Sequence, residues 1–280
     1  MSRDRDSGRS SRLRAVLGGF LFFYLGFIVL VILANVLWLG RPGAGGGPSP
    51  WTFLWSRPDL RAGLWSSIRL SLVASTITSC LAIVLAVPSA YALSRFRFRG
   101  AAVIDTIIDL PIVVPPLLAG VALLIFFRQF PVGRFIEQHI VPVVYTRTGI
   151  VVAQFFVASA FSIRAVKAAF DGVNPRFEMV ARSLGDGPFR AFRRVALPLA
   201  RNGIVAGFVM TWARAMGEFG PIMMLAGATP GKTDVLSVSA FLNMSSGHVE
   251  ASIAIVVLMI GLAAGALIVF KKLGGKGYLW

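Results

Sequence analysis

Long apolar runs dominate this chain, and they leave it few ways to fold. A helix needs about 20 mostly apolar residues to cross the hydrocarbon core, where each backbone N–H and C=O must be satisfied within the segment. Six stretches reach that length, at about 15–39, 64–93, 101–127, 148–170, 199–225 and 251–270. The fourth is charge-free only over Gly149–Ile163, so it spans only if Arg164 and Lys167 snorkel to the headgroups. Hydrophobic residues make up 56% of the 280 and charged residues 14%, against roughly 25% charged in soluble domains. A chain of this size has too little interior to hide that surface from water. An ordinary soluble enzyme and a disordered chain are excluded, and the single cysteine, Cys80, excludes an internal disulfide. The expected fold class is all-α, a polytopic membrane protein.

The net charge of +16 would suit nucleic acid if it formed one patch, but it is divided among separate segments. Arg3, Arg5, Arg9, Arg12 and Arg14 precede the first span, whose apolar stretch is too long for a secretory leader and reads as an uncleaved anchor. Arg95, Arg97 and Arg99 follow the second span, a dense basic run from Arg164 to Arg201 follows the fourth, and Lys271, Lys272 and Lys276 follow the sixth. The opposite side holds fewer: Arg41, Arg57, Arg61, Arg128, Arg134, Arg147 and Lys232. Basic residues stay in the cytoplasm during insertion, so both termini are expected inside. The chain then divides into a basic tail, 1–14, a membrane domain, 15–270, with a cytoplasmic loop at 171–198, and a short tail, 271–280. RPGAGGGPSP, Arg41–Pro50, reads as an external loop.

The cytoplasmic loop is the most informative segment. Asn174 is a favoured N-cap, Pro175 suits the first helical position, and Glu178 lies where the helix dipole favours an acid. Gly185 stands where a left-handed residue ends a helix. A short helix over about 175–184 is predicted, with Phe177, Val180, Ala181 and Leu184 as an apolar stripe. Asp186, Gly187 and Pro188 repeat the start signal, and a second short helix is expected to run to Pro198. Such a pair could lie on the bilayer surface or present itself to a cytoplasmic partner, and both uses fit the pattern.

The segment resembles the EAA loop of ABC-transporter permeases of the importer class: Glu-Ala-Ala, three residues, Gly, nine residues, then Ile-x-Leu-Pro. Ala181, Gly185, Val195, Leu197 and Pro198 keep that spacing. Met179 stands at the usual Glu position with Glu178 just before it, and Val180 replaces the first Ala. The likeness extends over about 60–270 and includes VPSAYALSRFRFRG, Val87–Gly100. IDLPIVVPPLLAG, Ile108–Gly120, and WARAMGEFG, Trp212–Gly220, are similar to the molybdate, tungstate and sulfate subgroup. The resemblance implies a type I importer-like permease of six spans in a bacterial inner or archaeal cell membrane. It implies a homodimer with two ATP-binding cassette ATPases beneath it and an extracytoplasmic solute-binding protein above, with no nucleic acid involved. ATP and Mg would sit on the ATPase. Pro175, Glu178, Met179, Val180, Ala181, Leu184, Gly185 and Pro198 are the implied coupling residues. In that family the loop docks into a groove of the ATPase, and the glycine allows a tight turn and close packing.

Other constellations are weighed on their chemistry. AGATPGKT, Ala226–Thr233, satisfies a relaxed phosphate-loop pattern, but a membrane helix precedes it where a strand is required. Arg214 and Glu218, at i, i+4 in the fifth span, offset each other's desolvation, as a structural pair or as part of a pathway or gate. Pro221 is expected to break the helix there. Ser67, Ser71, Ser75 and Thr78 share one stripe of the second span; neutral hydroxyls can conduct an oxyanion or bind helix to helix. Pro111, Pro115 and Pro116 interrupt the third span, either as a bend at a gate or as gentle curvature. Asp105 and Asp109 form a carboxylate pair that also suits a helix amino terminus. His139 and His248 are isolated, and no metal ligand set, HExxH or GxSxG is present, so no catalytic residue and no metal site are expected. The expected function is import of an oxyanion, molybdate or tungstate first. The alternatives are a sulfate or thiosulfate permease, or an ATP-independent secondary transporter or channel.

Overall fold

The computed structural model describes residues 3–41, 48–96 and 99–273. Most of the Arg41–Pro50 loop, Arg97, and 274–280 of the carboxy-terminal tail lie outside the described residues.

The apolar runs all become helix. Among the described residues, five helical stretches are long and apolar enough to span: Val16–Leu39 within α1 (Arg3–Leu39), α3 (Pro58–Arg95), α7 (Arg147–Asp171), Pro188–Met216, and Val249–Phe270 within α13 (Val249–Leu273). The sixth exists only as a bent pair, α4 (Ala101–Val113) and α5 (Pro116–Gln129), turned 110° at the break. Pro115 and Pro116 therefore do more than curve a helix. Neither can donate to the ladder, and Val114 and Pro115 are both extended, at ψ 128° and 131°. Short helices complete the chain: α2 (Pro50–Ser56), α6 (Pro131–Phe135), α8 (Arg176–Ser183), α9 (Pro188–Ala191), α11 (Gly220–Leu225) and α12 (Leu236–Ser245).

α3, α7 and α10 (Leu197–Met216) form the centre of the bundle. The ends of α3 and α7 both meet the α8 loop, so these two run parallel, packed on each other, and α10 runs back alongside both. Small residues let the backbones approach. A Cβ built on Gly203 of α10 would lie 2.3 Å from Cβ of Ala169 on α7, and one on Gly207 would lie 3.3 Å from Cβ of Ala165. That Gly-x-x-x-Gly spacing is a legible sequence signal that pattern reading passed over.

The second short helix departs from expectation. It does not stop at Pro198: α9 continues through a π turn, Phe192–Ala196, directly into α10. The wider turn resolves the proline problem, because Pro198 has no N–H for a regular i→i−4 bond and Leu197 N bonds to Phe192 O instead. The far end of the same span is shorter than expected. α10 stops at Met216, ahead of Pro221, and Pro221 sits inside the first turn of α11, where its missing N–H costs nothing.

Candidate functional site

Two groups of residues have functional geometry, one at the α8 end and one at the paired helix breaks.

At the α8 end, Asn174 caps the helix through its side-chain carbonyl, which accepts from Arg176 N at 3.0 Å. Gly185 is left-handed, φ +99°; Asp186 N donates to Ala181 O and Gly185 N to Arg182 O, both at 3.1 Å. This pair of bonds is a Schellman stop, available cheaply only to glycine. The close packing expected around Gly185 is absent within the chain: nothing approaches a Cβ position there within 4 Å. Its requirement here is conformational.

The faces of α8 are sharply divided. Glu178 is buried at 7% exposure, accepting from Arg95 Nε at 2.8 Å and from the Tyr91 hydroxyl at 2.5 Å. Arg95 also donates to Val173 O at 2.9 Å, and Tyr91 packs on Phe170 and Phe192. Thus α8 is tied to the end of α3 by a charge-assisted clamp between segments more than eighty residues apart, which sequence reading missed. On the other face Phe177, Met179, Val180 and Leu184 are 56%, 56%, 57% and 83% exposed, and nearby Phe189 is 72% exposed. Pro175 is exposed, Ala181 half-buried, and Pro198 lies in the first turn of α10. Glu178→Ala strands a nearly buried guanidinium, and breaking such a pair costs about 3–5 kcal/mol. A thermal melt should show a clear drop in stability, with Glu178→Gln falling between.

The second group joins the two motifs that suggested the oxyanion subgroup. A Cβ on Gly120 of α5 would lie 2.7 Å from Pro221 Cα; one on Gly220 would lie 2.9 Å from Leu117 N. Two interrupted helices are therefore locked backbone to backbone, with Pro115 and Pro116 at one break and Glu218 at the other. Glu218, 2% exposed, pairs with Arg214 as expected, and its carbonyl accepts from the Ser237 hydroxyl at 2.7 Å. That backbone bond, separate from the ion pair, fastens the α10 break to α12. Arg214 also lies over the Phe161 ring.

The serine stripe serves the interior. Ser71, Ser75 and Thr78 are 0–1% exposed. Ser71 accepts from Leu236 N at 2.8 Å, Thr78 donates to Gln154 Oε1 at 2.9 Å, and Gln154 donates to Ala215 O at 2.9 Å and to Ser75 at 3.4 Å. In this conformation the three hydroxyls bond within the bundle, helix to helix. Gln154, the hub, gave no signal beyond being a lone polar residue in a span.

Arg164 does not depend on snorkelling. Its guanidinium donates from Nε to Asp109 at 2.6 Å and from Nη1 to Asp105 at 2.7 Å, so the carboxylate pair on α4 is a docking fork for α7. No residue of α4 is buried, and this fork is its charged attachment to α7. Arg164→Ala should raise amide hydrogen exchange across Ala101–Val113 at least tenfold, with Arg164→Lys intermediate; unchanged exchange would show that apolar packing alone holds α4. Lys167 pairs with Asp171 at 2.9 Å. In Ala226–Thr233, helix α11 precedes the turn, and the Thr233 hydroxyl accepts from Thr229 N at 3.1 Å. The phosphate-loop likeness is a self-satisfied turn.

The geometry defines a multi-pass helical membrane protein with a structured loop at one end and broken helices within the bundle. Residues 79–274 match the family of binding-protein-dependent transport system inner membrane components, and the chain belongs to that family. It is 39% identical over 204 residues to the probable molybdenum ABC transporter permease protein of Haloferax volcanii, covering 73% of each chain. Identity is 34% over 210 residues to the molybdate/tungstate transport system permease protein of Thermococcus kodakarensis, covering 75% of this chain and 78% of that one. The sulfate transport system permease protein of Salmonella typhimurium is 31% identical over 207 residues, 74% of each. Among solved structures, the fold matches a bacterial alginate ABC transporter bound to its periplasmic protein, with TM-score 0.73, 15% identity and 98% of both chains covered. It also matches the inward-facing MetNI methionine ABC transporter, with TM-score 0.60, 18% identity, and 79% of this chain and 96% of that one covered. Those two likenesses speak for the fold.

Proposed function

We propose that this chain is the permease subunit of an ABC importer for a tetrahedral oxyanion, molybdate or tungstate first, acting as a homodimer on two ATPase subunits and fed by an extracytoplasmic solute-binding protein. Both termini and the α8 loop face the cytoplasm. ATP and Mg belong to the ATPase, whose closure moves α8, and α8 moves the bundle.

The observation that carries this reading is the two-faced α8. An apolar row left 56–83% exposed, on a helix fixed rigidly from behind by Arg95 and Tyr91, is built to be covered by something else. The clamp gives it stiffness: displacement of α8 must displace the end of α3, whose interior face binds α7 and α10. The interlocked breaks at Pro115–Pro116 and Gly217–Phe219 are the places where such motion can open a path, since packed helices yield at interruptions. Molybdate and tungstate are favoured by the likeness to the Haloferax volcanii and Thermococcus kodakarensis permeases, and sulfate is the second reading because a sulfate permease matches almost as well.

The test is to co-express the chain with its neighbouring ATPase and binding protein and to measure ATP-dependent uptake in proteoliposomes. Molybdate or tungstate uptake that excess sulfate fails to suppress supports the first reading; full suppression by sulfate supports the second. Transport by this chain alone without nucleotide would establish a secondary transporter instead.

A further inference from the structure

Arg69 is an exposed charge within the α3 span. It lies about 16 Å along α3 from Pro58 at the standard helical rise, on the face opposite the buried Ser67. A cation at that depth is costly unless it faces water or a partner. Beside it, at the end of the bundle opposite α8, is a groove of about 560 Å³ lined by Trp65, Ser66, Arg69, Val73, Arg147 and Gly231. Arg147 opens α7 and is held at the rim by donating to Lys232 O at 3.2 Å and Gly231 O at 3.4 Å. Among the described residues neither Arg69 nor Arg147 pairs with a carboxylate. The nearby acid Asp234 is turned away, 5% exposed, accepting from Ser67 at 3.2 Å behind α3. Burial pushes its carboxyl above the usual range, and Arg147 pulls it the other way through space without forming an ion pair with it.

We propose that this groove is an anion vestibule in which Arg69 and Arg147 receive a tetrahedral oxyanion before it enters the bundle. The proposal rests on the oxyanion reading above and names where the ion first meets this chain. Two guanidinium groups held in no direct ion pair, between low-dielectric walls, attract a dianion from a distance. The groove is much wider than one ion, so the ion keeps part of its water and leaves readily, as transit requires. The phosphate of an anionic lipid headgroup presents the same chemistry, so the experiment must separate the two sources.

The complete transporter, with its ATPase and binding protein, is reconstituted in vesicles of neutral phosphatidylcholine, with and without phosphatidylglycerol. The double variant Arg69→Ala with Arg147→Ala is compared with the double lysine variant and with Arg134→Ala, an exposed charge loss elsewhere at the same end. In neutral vesicles the double alanine variant should lose at least tenfold in oxyanion uptake below saturation and lose most of its ionic-strength dependence. The lysine variant should keep most uptake, and Arg134→Ala should match wild type. Wild-type uptake by the double alanine variant, or a defect confined to vesicles containing phosphatidylglycerol, overturns the proposal; the latter assigns the groove to lipid. Equilibrium dialysis of radiolabelled tungstate or sulfate against the nucleotide-free permease–ATPase complex, with the solute-binding protein left out, decides the site without turnover: binding lost in the alanine variant supports it, equal binding refutes it. A wild type that binds the ion through these arginines yet imports none would contradict the importer reading alone.

Discussion

With Val180→Asp and Leu184→Asp combined, ATP-driven uptake falls to below about a hundredth of wild type while the permease still inserts and folds. Both side chains are largely exposed, at 57% and 83%, so the fold has almost nothing to lose. The cost arises only when the face is covered. Each lost apolar anchor removes about 1.5–3 kcal/mol, and a carboxylate sealed without a partner costs several kcal/mol more. A loss of about 4 kcal/mol already weakens an interface roughly a thousandfold. The ATPase should no longer co-purify, and the melting temperature of the permease should not move.

The second large effect is at the interlocked breaks. Gly220→Val should abolish uptake while the ATPase stays attached and hydrolyses ATP. The Cβ would lie within 3.2 Å of backbone atoms of both Leu117 and Pro116, and backbone cannot rotate away as a side chain can. Overpacking of this kind costs about 1–3 kcal/mol, and more where the neighbour is rigid. A lowered melting temperature together with ATP hydrolysis uncoupled from uptake is the expected pattern. Gly63→Ala, where nothing lies within 4 Å, is the matched control and should behave as wild type. Normal uptake by Gly220→Val would show that the two breaks separate freely.

The sequence made the spans legible because apolar length is a local property. It also made the α8 loop legible: Asn174 as cap and Gly185 as left-handed stop need only neighbours in the chain, and both are found. What it hid depends on contacts between distant segments. Three prolines announced an interruption in the third span, but the 110° turn is set by what α4 and α5 pack against, with Asp105 and Asp109 on Arg164 and Gly120 on Pro221. Glu178 read as a dipole-stabilising acid; its inward role follows from Arg95 and Tyr91, more than eighty positions earlier. The serine stripe was legible as a stripe, but that Gln154 from another helix sits at its centre was not. Pro198 signalled a stop that a π turn turned into continuity.

The central claim is that the apolar face of α8 is docked on a nucleotide-hydrolysing partner. A photoreactive benzoylphenylalanine placed at Leu184 in the co-expressed complex tests it directly. The account predicts a light-dependent adduct between the permease and the ATPase subunit, strengthened when ATP is trapped. Adducts formed only with lipid, or with a second copy of this chain, would contradict it.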